Sequence, residues 1–457
     1  MLQIHYIRVF CARYLLFLLA GLVLVALVAC SNGASPDDGG SNSSSSGNKP
    51  SNASSSSVGI VDGEWPFVDS SGEELQPTPG IDELKLSNVI SINYNGRTVE
   101  IDNSYDEVTI SASDGNVGVS VPNTSSTEYN FILSGTTSNG SLKFYGDVKK
   151  GLYLNGVSIT NSTGPAINIQ KSKRVTVHLI NGTQNLLEDG SNYDESGKNA
   201  KGTFFSEGKL EFDGSGSLEV KGKFKHAIVA DNDIEIKNGK ITVSEAASDG
   251  IHANDTIKVK GGFLKISSTG DAIQSEKEDN KIIITGGKIK AITAGPKSHG
   301  ITSEGPISIS GDAIVQISVL GNGSKGIKSG SKGNKVAGGV EFKGGKTFIK
   351  ASGTKHIDND DESNSAGIKL TGDLSIEGGE LTIKSPGNGA KGANTDGNAT
   401  IKNGTVNIDA DDDAMKVHGN LRIEGGNVTL NSKNKQAIDA TSCTKTGGTV
   451  NVQCGSF

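Results

Sequence analysis

The chain has 457 residues, including 62 Gly and 10 Pro, with 5% aromatics and a formal net charge of −7. That glycine content exceeds an ordinary globular domain's and lacks the period of collagen, so many tight turns between short strands account for it. Lys is interspersed with Asp and Glu, which excludes the basic stripe of a nucleic-acid binder; no nucleic-acid partner is expected.

Residues 1–29 read as an export signal. Arg8 and Arg13 precede an apolar run from Leu15 to Ala29, which ends in Leu27-Val28-Ala29-Cys30. That ending resembles a bacterial lipobox, which would make Cys30 the lipidated first residue of the mature chain and place the protein in the cell envelope, with display at the cell surface expected. The alternative is an uncleaved membrane anchor. Residues 30–60 are rich in Ser, Asn and Gly with almost nothing apolar to bury, as in a flexible tether. Residues 61–135 form an N-terminal β region, with hairpins or an irregular first coil capping the stack of repeats.

Residues 136–457 carry the repeat. A small residue followed by an apolar one recurs every 22 to 28 residues with one exception: Ala227-Ile228, Gly250-Ile251, Ala272-Ile273, Gly300-Ile301, Gly326-Ile327, Gly367-Ile368, Gly392-Ala393, Ala414-Met415 and Ala437-Ile438. Short alternating stretches follow each pair, such as Ile257-Lys258-Val259 and Leu264-Lys265-Ile266, separated by turns such as Gly261-Gly262. A coil of about 22 residues with two or three strands suits a parallel β-helix, in which stacking buries each coil's apolar edge. The exception, 41 residues from Ile327 to Ile368, is either one loop-bearing coil or two coils. A monomer is expected. Cys443 and Cys454 either close the last coil as a disulfide or remain free thiols.

Three stretches are distinctive: Asn185–Asp189 with Ser191-Asn192-Tyr193; Gly202-Thr203-Phe204-Phe205-Ser206; and Ala246-Ala247-Ser248-Asp249-Gly250-Ile251-His252-Ala253-Asn254-Asp255. Together they resemble the bacterial family described as carbohydrate-binding domain-containing proteins. The resemblance implies an exported, right-handed parallel β-helix related to polysaccharide lyases, calcium held by turn aspartates, and binding of plant or acidic polysaccharide, cellulose-like or pectin-like. It supplies no catalytic set.

Aligning the repeats places His226, Asp249, Asp271, His299, Lys325, Ala366, Lys391, Asp413 and Gln436 in one turn column. Adjacent coils lie about 4.7–4.9 Å apart, so Asp249 and Asp271 become neighbouring carboxylates that need neutralising. Ca2+ between them is one solution; turn-amide acceptance by the aspartates, or pairing with His226 and His299, are the others. Asp231, Asn254 and Asp255 form a second oxygen-rich edge, and Asp411, Asp412 and Asp413 a third candidate calcium cluster, with Lys391 one coil before Asp413. The residue after each anchor should point outward. That column contains His252, Lys328, Lys369 and Lys416, which either meet the carboxylates of an acidic glycan or only solubilise the sheet. Trp65 is the single tryptophan and precedes the repeats, so aromatic stacking is not an obvious binding mode.

These features give three readings. The first is a lipid-anchored, calcium-supported β-helix that binds polysaccharide without cleaving it. The second is a calcium-dependent pectate-type lyase, which needs a Lys or Arg base that does not stand out among these residues. The third is a structural adhesin or envelope protein without a defined glycan.

Overall fold

The computed structural model describes Leu75 and residues 77–454, apart from 195–199, 332, 334–336 and 359–360. All lie in the larger of two compact units, Val61–Phe457. The signal, Cys30 and the tether lie outside the described residues.

The repeat folds because each coil makes three short strands on three faces and leaves their backbone groups for the next coil. Face A holds the anchor strands: His226–Ala230, Ile251–Ala253, Ile273–Ser275, His299–Ser303 and their successors. Face B holds Ile234–Ile236, Ile257–Val259, Ile282–Ile284 and Ile307–Ile309; face C holds Lys240–Ala246, Phe263–Ser268, Lys288–Thr293 and Ile314–Val319. Each strand pairs in parallel with its equivalent one coil away, as Ile251 with Ile273 and Ile257 with Ile282. The described residues make a parallel β-helix of about 13 turns.

Alternation along each strand sends one set of side chains inward, and in-register stacking turns that set into ladders. Ile228, Ile251, Ile273, Ile301, Ile327 and Ile368 form one such ladder, with no exposed surface. Fully burying each of these side chains contributes roughly 1.5–3 kcal/mol relative to exposure, and no coil can achieve that alone.

The small residue before each anchor has a packing cause. A Cβ on Gly250 would lie 2.3 Å from Ile266 Cγ2, and one on Gly300 2.2 Å from Ile317 Cγ2. Gly326, Gly367 and Gly392 meet Ile349, Ile383 and Ile408 in the same way. The turn between faces B and C needs a different freedom: Gly262, at φ +82°, sits in the left-handed region and its Cβ would meet Gly239 O at 2.6 Å.

The 41-residue interval is one coil, because Ile327 pairs directly with Ile368. Its excess forms a loop before Val340 and an antiparallel hairpin of His356–Asp358 with Asp361–Ser363. At the N-terminal end the stack starts earlier than residue 136. Val89–Asn95 already pairs in parallel with Tyr129–Thr137, and Asn116–Ser120 with Ser141–Tyr145. The outer edges of these first strands are taken by the antiparallel strands Thr98–Asp102 and Thr109–Ser113. Those two hairpins interrupt the period and cover the outer edges of the first parallel strands with short antiparallel ones.

Candidate functional site

The register puts Asp249 and Asp271 one coil apart, since each precedes a paired anchor by two residues. Each carboxylate has partners of its own. Asp249 Oδ2 lies 3.0 Å from His226 Nδ1 and 3.1 Å from His252 Nδ1. Asp249 Oδ1 accepts the Asp271 backbone N–H at 2.9 Å. Asp271 Oδ1 in turn accepts the N–H of His299, and His299 Nδ1 accepts the N–H of Lys325 at 3.1 Å. The turn column is therefore a chain of side-chain acceptors, each satisfying the backbone donor of the next coil. The pair does not form an oxygen cage for calcium, because imidazole nitrogens rather than a second carboxylate face Asp249.

Electrostatics follow from this arrangement. Burial opposes charge on Asp249, but the hydrogen bonds from His226 and His252 outweigh it and hold the carboxyl well below the usual range. Burial, with the Asp249 charge beside it, pushes Asp271 up. Burial pulls His226 down; His299 is pulled further, by burial and then by Lys328 and Lys325. At His252 burial is overcome by Asp249 and Glu276, which raise the imidazole to about 9.

The other acidic candidates have cationic or amide partners. Asp231 pairs with Lys201 at 2.6 Å and accepts from Asn254 Nδ2 at 3.3 Å. Asp255 takes Lys277 and Asn280. Asp411 accepts from Gly389 N–H and Asn434 Nδ2, both at 2.9 Å. Asp412 and Asp413 share Lys391, at 2.6 and 3.0 Å. Lysine, amide or backbone donors already engage oxygens in each set, whereas a calcium ion asks for six to eight free oxygens.

The outward column divides. Lys369 is tied to Asp396 and Lys416 to Asp439, leaving Lys328 as its half-buried lysine without an ion pair among the described residues. His252 offers no binding surface: it is 6% exposed and turned towards Asp249 and Gln274. Cys443 is an exposed, free thiol, and its pairing with Cys454 falls outside the described residues, as the side chain of Cys454 does.

A surface that residue columns do not reveal lies at the N-terminal end of face A. An open cleft of about 210 Å³ is lined by Asn116, Ser141, Lys143, Asn161, Asn168 and Asp194, among others. Asn116, Ser141, Lys143 and Asn168 come from three successive face A strands. The Asn161 side chain pins the adjoining turn, donating to Pro165 O at 2.8 Å and accepting Thr163 N–H at 3.1 Å. Two residues beyond Lys143, Tyr145 is 46% exposed, with the Lys143 ammonium 5.2 Å from its ring centroid. Further along, Phe224 is 38% exposed and stacks on Tyr193 at 4.0 Å, while the Tyr193 hydroxyl donates to Asp189 at 2.7 Å. Amide and hydroxyl groups beside a fixed aromatic ring suit a ligand that is polar at its edges and apolar on its faces. Tyr193, inside a distinctive stretch, was one available signal, and Tyr145 lies outside those stretches; counting tryptophan alone misses both.

The profile of the carbohydrate-binding domain-containing protein family matches residues 113–398 and 352–457. The chain belongs to this family. A carbohydrate-binding domain-containing protein of Acetivibrio thermocellus is 33% identical over 120 residues, 25% of this chain and 41% of that relative. The match thus spans less than half of the relative's length. A solved structure described as the polysaccharide lyase-like protein from C. thermocellum, gadolinium derivative, is similar at 20% identity and a TM-score of 0.39, over 67% of this chain and 96% of that one. Family membership gives the face A cleft a class of ligand to be tested against.

Proposed function

We propose that the protein is a non-catalytic polysaccharide-binding β-helix whose glycan subsite is the polar cleft at the N-terminal end of face A. The observation that carries the reading is that cleft, lined by Asn116, Ser141, Lys143 and Asn168, beside the exposed ring of Tyr145. Amide and hydroxyl side chains address sugar hydroxyls, the ring supplies a stacking face, and Lys143 favours a glycan carrying carboxylates. Lys328, outside any ion pair among the described residues, offers a second contact for an acidic chain running along face A. Binding proceeds without calcium at the named aspartates, whose oxygens are engaged by lysine, imidazole or amide groups. Lipidation at Cys30 would display the solenoid on the envelope, with residues 31–60 as its tether.

The test is affinity electrophoresis of the intact chain in gels containing polygalacturonate or soluble cellulose oligomers, with and without calcium. Retardation by polygalacturonate is expected irrespective of calcium, weakened about tenfold in Tyr145→Ala, a loss of about 1.4 kcal/mol. Retardation of Tyr145→Ala and Asn168→Ala equal to that of the native chain would remove the cleft from the reading, and no retardation by any glycan would remove the reading itself. Release of unsaturated uronates, followed by ultraviolet absorbance, would establish the lyase alternative instead.

A further inference from the structure

We propose that His226, Asp249 and His252 form a binding site for a divalent transition metal of the zinc class. Their donor atoms all lie within 4.8 Å of one another, and all three residues are more than nine-tenths buried. Each is delivered by the stack: His226 comes from one coil, Asp249 and His252 from the next. The two rings stack at 4.4 Å with an interplanar angle of 28°, and both Nδ1 atoms face Asp249 Oδ2. Two ligands bound tetrahedrally at about 2.0–2.1 Å stand about 3.3 Å apart, close to the 3.0 and 3.1 Å found here.

The surrounding groups close the cluster further. The Asp249 backbone N–H approaches His226 Nδ1 at 3.3 Å, and the same nitrogen faces Asp249 Oδ2 at 3.0 Å inside a buried site, where a metal ion would take the place of the proton between them. His252 Nδ1 faces two oxygens, Asp249 Oδ2 and, at 3.2 Å, Gln274 Oε1. Gln274, from a third coil, offers a fourth donor. The remaining nitrogen of His252 lies 3.6 Å from Glu276 Oε2, the outer carboxylate that commonly orients a ligating histidine. Two nitrogens among three donors select zinc, nickel or cobalt over calcium. A metal here would tie adjacent coils together beneath the outward column of face A.

The test uses the intact, untagged chain, stripped with chelator and titrated calorimetrically with zinc chloride and separately with calcium chloride. One zinc per chain is expected, calcium should not displace it, and cobalt should give the visible absorption of a four-coordinate nitrogen–oxygen site. His252→Gln and Asp249→Asn should abolish this binding. Glu276→Gln, altered at an exposed carboxylate, should fold normally and weaken zinc about 10- to 100-fold. If the two buried variants do not fold, Glu276→Gln decides: weakened binding supports the site, unchanged binding overturns it. Absence of stoichiometric zinc in the native chain, or full affinity in a folded His252→Gln, would also overturn it.

Discussion

Glu235 holds its charge on face B at 6% exposure because lysines from both neighbouring coils reach it: Lys209 at 3.0 Å and Lys260 at 2.6 Å. Glu211, its partner in register, is bridged to the same network by Lys209 at 2.7 Å and Lys237 at 3.1 Å. Burial opposes ionisation of Glu235, but the lysine contacts prevail and bring its pKa from 4.5 down to about 2. A carboxyl depressed on folding contributes stability that is full above its unfolded value and lost as pH falls through its folded one. Glu235→Gln should therefore cost about 1–2 kcal/mol at pH 7, and the gap to the native chain should close between pH 4.5 and 2. Denaturant unfolding at several pH values measures both. A constant gap across that window would mean that Glu235 acts through packing. The residue types of this network were visible along the chain, but which lysine meets which glutamate depends on strand register.

Coils owe their shape to a few positions where volume is forbidden. Gly300 enters face A against Ile317 Cγ2 from face C, and a Cβ there would also lie 2.6 Å from Gly326 O of the next coil. Gly300→Val should destabilise the chain by about 2–3 kcal/mol through overpacking, whereas Ala272→Gly should cost about 1 kcal/mol or less. Thermal or denaturant unfolding of the two variants tests the pair. The small-apolar motif was legible because it recurs, and the structure supplies its cause. The first coil was legible only as one of two alternatives, hairpins or an irregular coil, and the structure has both: Thr98–Asp102 and Thr109–Ser113 break the period as hairpin strands, while Val89–Asn95 lies in register with Tyr129–Thr137. The long interval was undecided for the opposite reason, because a hairpin and a loop add length without shifting the pairing of Ile327 with Ile368.

For the whole solenoid, metal dependence separates the competing accounts. Added calcium should leave the unfolding midpoint unchanged, because Asp231, Asp255, Asp411, Asp412 and Asp413 already have lysine or amide partners. Added zinc should raise it, because an ion bound only by the folded chain stabilises that state by mass action. Differential scanning measurements with each ion read both outcomes, and a calcium-induced rise would restore calcium to the account. Period, turn chemistry and alternation determined from the sequence alone that this chain stacks short strands, because these patterns are local and repeat. They also placed Asp249 one coil from Asp271. What those carboxylates face was decided only by the tertiary structure. His226 stands one coil before Asp249 in the turn column, a pairing the alignment left as one alternative among three, whereas His252 belongs to the outward column of Asp249's own coil and is turned towards that carboxylate only by the fold. The cleft beside Tyr145 arose in the same way, from three strands and a turn that the fold brings side by side.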